Sequence, residues 1–120
     1  MHELSIAASI VDVVTESAAA YPGARVKEVR LRVGALASVI EDSLQFCWEI
    51  TTEGTPLERA KLVVKTVPVV THCAACGKDG ELVSLQSFRC PHCDEPCSDL
   101  RQGRELEIDS IEIDEPEEGA

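Results

Sequence analysis

Two short cysteine pairs, Cys73-x-x-Cys76 and Cys90-x-x-Cys93, constrain this chain more than any other feature. The thirteen residues 77–89 separate them. A CxxC pair bends into a knuckle that presents two thiolates to one side, and two knuckles supply the corners of a tetrahedron. Gly77 and Pro91 suit the sharp turn around each knuckle. Such a donor set closes around a structural Zn2+. Iron is the alternative, because a tetrahedron of sulfurs does not by its geometry choose between the two metals. A thioredoxin-like redox pair fits less well, since neither motif stands at a strand-to-helix turn of a βαβ unit. Cys97 is a fifth thiol nearby, and His72 and His92 flank or interrupt the knuckles. Four thiolates need no fifth ligand, so these three read as neighbours of the site or as exposed residues, with ligation the weaker alternative. Cys47, far from the knuckles, reads as a small core hydrophobe.

A chain of 120 residues holds one modest domain and a small appended module, and a limited core gains from a metal staple. Aromatic residues are only 3%, so Val, Ile, Leu and Ala must build that core. The formal net charge of −11 argues against a phosphate-binding surface and hence against nucleic acid. The first residues carry no basic segment or hydrophobic stretch of a signal peptide, and no run approaches the roughly 18 apolar residues of a membrane span. A reducing, cytoplasmic location is expected, where paired CxxC motifs read as metal ligands before disulfides.

Along the chain, apolar residues from Leu4 to about Ala20 recur at helical spacing until Tyr21-Pro22-Gly23 stops them. In 25–34, Val29, Leu31 and Val33 alternate with Glu28, Arg30 and Arg32, the pattern of a half-buried strand. A second helix is expected from about Glu41 to Thr52, with Leu44, Cys47, Trp48 and Thr51 on one face, ended by Gly54-Thr55-Pro56. Lys61–Val67 reads as a β-branched strand. Over 71–101 turn residues and cysteines replace that periodicity. Leu106, Ile108, Ile111 and Ile113 then form a last strand with one register slip. The expectation is an α+β fold: two helices on a small three-stranded sheet, with a zinc-ribbon-like four-cysteine module inserted before the final strand. Residues 1–69 and 103–115 would form the first domain, 70–102 the module, and 116–120 an acidic disordered tail.

The N-terminus offers a second ligand set. A bulky His2 should leave Met1 in place, because the aminopeptidases that remove it generally require a small second residue. The Met1 α-amine, the His2 amide and the His2 imidazole Nδ1 can then close two fused chelate rings, with the Glu3 amide or another side chain in the fourth position. Square-planar nitrogen donors suit Ni2+ or Cu2+ and fit Zn2+ poorly. The first amides of a helix have no intrahelical partner, so deprotonating them breaks no helical bond. No nucleophile–base pair stands out, and a closed zinc site has no place for water, so an enzyme is not expected.

Several pieces in order, Met1-His2-Glu3-Leu4-Ser5, Val33-Gly34, Ser43-Leu44-Gln45-Phe46 and Gly54-Thr55-Pro56-Leu57-Glu58, precede the cysteine pairs. Gly103-x-Glu105-Leu106 and Ile111-Glu112 follow them. Together they resemble the HypA/HybF family of hydrogenase nickel-incorporation proteins over nearly the whole chain. The resemblance implies a metallochaperone that carries Ni2+ as cargo to the large-subunit precursor of a [NiFe] hydrogenase, with a HypB-type GTPase as partner. The chain lacks a GxxxxGK[ST] loop, so nucleotide hydrolysis would belong to that partner. By position, His2 and Glu3 become nickel residues, and Cys73, Cys76, Cys90 and Cys93 zinc ligands. Glu41 stands where some members place an acidic residue near the nickel. Gly77 and Asp94 stand where some members follow the cysteine pairs with His. No nucleic-acid partner or membrane insertion is implied, and a homodimer is compatible with the sequence.

Overall fold

The computed structural model describes residues 3–114. The acidic tail expected at 116–120 therefore lies outside the described residues. Helix α1 spans Glu3–Ala18 and buries Ala7, Ile10, Val11 and Val14, one stripe at i, i+3, i+4 and i+7. Ala19 and Ala20 belong to the turn that follows, where the Tyr21 amide donates to Ala18 O at 3.0 Å.

Strand β1, Arg25–Gly34, buries Val29, Leu31 and Val33 in alternation, and Val26 out of phase with them. Helix α2, Glu41–Thr52, packs against α1 and buries Leu44, Trp48 and Thr52. Cys47 and Thr51 are half-buried beside that stripe. The Trp48 indole Nε1 donates to Ala60 O at 2.9 Å and Gln45 Nε2 to Leu62 O at 2.7 Å. These bonds fix α2 against the start of strand β2, Lys61–Val67.

Strands β3 (Val70–His72), β4 (Asp79–Glu81) and β5 (Asp99–Gln102) are short, and β6 runs over Leu106–Asp114. One three-stranded sheet has the order β2-β1-β6, and a second has the order β4-β3-β5 with antiparallel pairing on both sides of β3. On the wet face of the first sheet, Arg32 Nη1 lies 2.8 Å from Glu107 Oε1, and Arg30 Nη2 lies 2.6 Å from Glu28 Oε2. Exposed pairs of this kind contribute little stability; cross-strand ones help hold register. The β1 end closes on the turn before β6, where the Gly34 amide donates to Glu105 O at 2.7 Å. A Cβ on Gly34 would lie 2.1 Å from the Gly103 carbonyl carbon, so the approach admits only glycine.

Two compact units result. One comprises 3–31, 39–64 and 108–114, and the other 32–38 and 65–107. The two helices and Trp48 belong to the first, and the cysteine pairs to the second. No helix among the described residues is long and apolar enough to cross a membrane.

Candidate metal centre

Cys73 follows β3 directly, and the first knuckle turns back into β4. The Gly77 amide donates to Cys73 O at 2.7 Å and the Cys73 amide to Lys78 O at 3.0 Å. The second knuckle repeats this pattern. The Asp94 amide donates to Cys90 O at 2.9 Å and the Cys90 amide to Glu95 O at 2.8 Å. The repeat explains Gly77 and Asp94, which have φ of 71° and 64°. Each knuckle needs one residue in the left-handed region, where glycine is free and aspartate is among the better-tolerated alternatives.

The sulfurs of Cys73, Cys76, Cys90 and Cys93 all lie within 4.8 Å of one another. Cys73 Sγ is 3.5 Å from Cys93 Sγ, and Cys76 Sγ is 3.7 Å from Cys90 Sγ. A tetrahedral ion with bonds of about 2.3 Å to sulfur requires S···S separations of about 3.8 Å. The two knuckles thus present sulfur at the spacing such an ion needs, and the set fits Zn2+ held by four thiolates. The His92 amide also donates to Cys90 Sγ at 3.4 Å, a bond that favours thiolate over thiol.

The thiols do not titrate alike. Burial raises the Cys90 thiol, but the amides of Cys93 and His92, together with the side chains of Cys76 and Cys93, bring it down to about 6. At Cys93 the Glu95 amide lowers the value, while desolvation and the thiols of Cys73, Cys90 and Cys76 push it up to about 12. Negative charge gathered at one sulfur holds the proton on another. A divalent cation at the centre reverses that balance, so binding there releases protons.

Cys97 is buried but stands outside the four-sulfur group, and its Sγ donates to His72 O at 2.9 Å. His72 Nδ1 lies 2.6 Å from Asp79 Oδ1, and His92 Nε2 lies 3.1 Å from Asp79 O. All three side chains thus brace the knuckles. Gly80 lets the second knuckle approach β4, since a Cβ there would lie 2.4 Å from Pro91 Cγ. Sequence reasoning missed Gly80 and Asp94 as parts of the site; the left-handed turn after each CxxC was the signal available for Asp94.

Met1 and His2 lie outside the described residues. Glu3, the first residue of α1, is half-buried, and the Ile40 amide stands 3.5 Å from its Oε2. Ile40 is the N-cap of α2 and makes no side-chain capping bond. The structure therefore brings Glu3 to the start of α2. Glu41, in the first turn of α2, is exposed.

An α+β fold with a closed four-cysteine group defines a small metal-binding protein. Comparison with known proteins makes the class particular. The sequence model of the family described as "Hydrogenase/urease nickel incorporation, metallochaperone, hypA" matches residues 1–113. The hydrogenase maturation factor HypA of Chloroflexus aurantiacus is 46% identical over 112 residues, covering 93% of this chain and 98% of the relative. That of Streptomyces avermitilis is 43% identical over 113 residues, covering 92% and 86%. The solution structure of the Ni metallochaperone HypA from Helicobacter pylori shares the fold, with a TM-score of 0.67 at 20% identity over 97% of this chain and 100% of that one. The chain belongs to the HypA family of nickel-incorporation metallochaperones, maturation factors rather than enzymes.

Proposed function

We propose that the chain binds one Ni2+ at its N-terminus and delivers it during maturation of a [NiFe] hydrogenase, while a separate Zn2+ serves only structure. The Met1 α-amine, the His2 amide and imidazole, and Glu3 form the nickel set. Cys73, Cys76, Cys90 and Cys93 hold the zinc, which cross-links the two knuckles. In this reading 1–69 and 103–115 form the nickel domain and 70–102 the zinc module. A HypB-type GTPase and the hydrogenase large-subunit precursor are the partners, and the setting is cytoplasmic.

The observation that carries the nickel reading is the family match, which reaches residue 1, joined to an α1 that begins at Glu3. First-turn amides of α1 lack helical partners, and amidates there stand at the positive end of the helix dipole. The zinc reading rests on the sulfur spacing and on a cysteine set with no open position.

The test is metal analysis and nickel titration of untagged protein that starts at Met1. One tightly held zinc and one added nickel with a square-planar absorption band are expected. His2→Ala should abolish nickel binding and leave zinc content intact. Nickel bound equally by that variant, or zinc lost with it, would sink the assignment of two separate sites. A coloured four-thiolate centre in the isolated protein would replace zinc by iron.

A further inference from the structure

Helix α2 leaves large apolar side chains uncovered on its outer face. Its N-cap, Ile40, makes no side-chain capping bond and is 63% exposed. Phe46 and Ile50, at i and i+4 on the outer face, are 64% and 51% exposed. The whole chain has only two phenylalanines, so half of them stand in water here. Asp42, Glu49 and Glu53 are exposed around the same stripe. Glu49 and Glu53 stand at the C-terminal end of α2, which has no basic residue in its last turn. That end of a helix carries the negative pole, so carboxylates there oppose local stability. Among the described residues no ion pair engages Asp42, Glu49 or Glu53.

We infer that this face of α2 is a docking surface for a basic amphipathic helix of a partner protein. Phe46 and Ile50 are at the spacing by which one helix anchors against another. The stripe from Asp42 to Glu53 runs about 18 Å, room for about three turns of a partner helix. Its three carboxylates select lysine and arginine on the flanks of that helix, as charged flanks select partners in coiled coils. The same charge disfavours other occupants. A second copy would bring like acidic stripes together, and an anionic lipid surface would repel them. The unfavourable carboxylates at the helix end are then explained, because a cationic partner relieves them on binding. The inference is independent of nickel binding.

The probe is a 14-residue Leu–Lys peptide with helical amphipathic spacing, titrated against the full chain, with a Leu–Glu peptide of the same pattern as control. The Leu–Lys peptide should bind with an affinity that weakens as salt rises, and amide shifts should concentrate on 40–53. Phe46→Ser with Ile50→Ser should weaken it at least tenfold. Glu49→Lys with Glu53→Lys should weaken it similarly yet raise the melting temperature, a combination that a merely structural role for these carboxylates does not give. Binding unaffected by Phe46→Ser/Ile50→Ser overturns the inference, as does equal binding of the Leu–Glu peptide. It is likewise overturned by a concentration-dependent dimer of the free chain lost on Phe46→Ser/Ile50→Ser, or by adsorption to phosphatidylglycerol vesicles through this face.

Discussion

The Glu105 carboxylate accepts a bond from the Gly103 amide at 2.8 Å, in the turn that receives the end of β1. Bonds to its own amide and to that of Gly103, with the Arg32 charge nearby, hold its pKa below the ordinary 4.5. A carboxylate lowered in the folded state stabilises the fold above its unfolded value, and that contribution disappears as pH falls through the folded value. Stability in urea should therefore fall on acidification below about pH 4.5 more steeply in the native chain than in Glu105→Gln. Identical pH profiles would remove Glu105 from the account. Gly80→Ala tests a steric rather than a charged contact. Its Cβ meets the Pro91 ring, so the second knuckle must move. Overpacking of this kind costs about 1–3 kcal/mol, so zinc should be held roughly 5- to 150-fold more weakly in chelator competition.

At the scale of elements, the buried Trp48 indole is one of the two donors that fix α2 against the start of β2. Trp48→Phe removes the indole donor and leaves Ala60 O without its bond, which should cost about 1–3 kcal/mol and lower the urea midpoint. The long elements were legible because their burial is periodic: β1 shows it in Val29, Leu31 and Val33, and α2 in Leu44 and Trp48. Periodicity overstated α1, however. Val13 is 50% exposed, because one residue from Val14 is about 100° around the helix and off the buried stripe. Strands β3, β4 and β5 were not legible, since three or four residues show no alternation. They exist because the knuckles bring Thr71 opposite Gly80 on one side and Leu100 on the other. The four cysteines could be read from spacing alone. The bracing by Cys97, His72 and Gly80 could not, because it depends on tertiary approach between residues 7 to 25 apart in sequence.

Over the whole molecule, the two units differ in what stabilises them. The first buries Ala7, Ile10, Val11, Val14, Leu44, Trp48 and Leu57 and needs no metal to close. Around the knuckles, the buried apolar cluster consists of Cys73, Cys90 and Cys97, with Cys76 packed against it. Structural zinc contributes on the order of 10–16 kcal/mol in zinc-finger peptides, more than so small a core supplies. Stripping the proposed zinc with a strong chelator should therefore unfold 70–102 and leave the helices standing. Trp48 is the chain's single tryptophan and lies in the first unit, so its fluorescence reports that unit alone. Its emission should change little, while amide exchange over 70–102 accelerates at least a hundredfold and readded Zn2+ restores protection. Cys73→Ser with Cys90→Ser should reproduce the stripped state without a chelator. If Trp48 emission shifted to that of the unfolded chain together with zinc loss, the metal would be holding both units, and the zinc could not be a local staple.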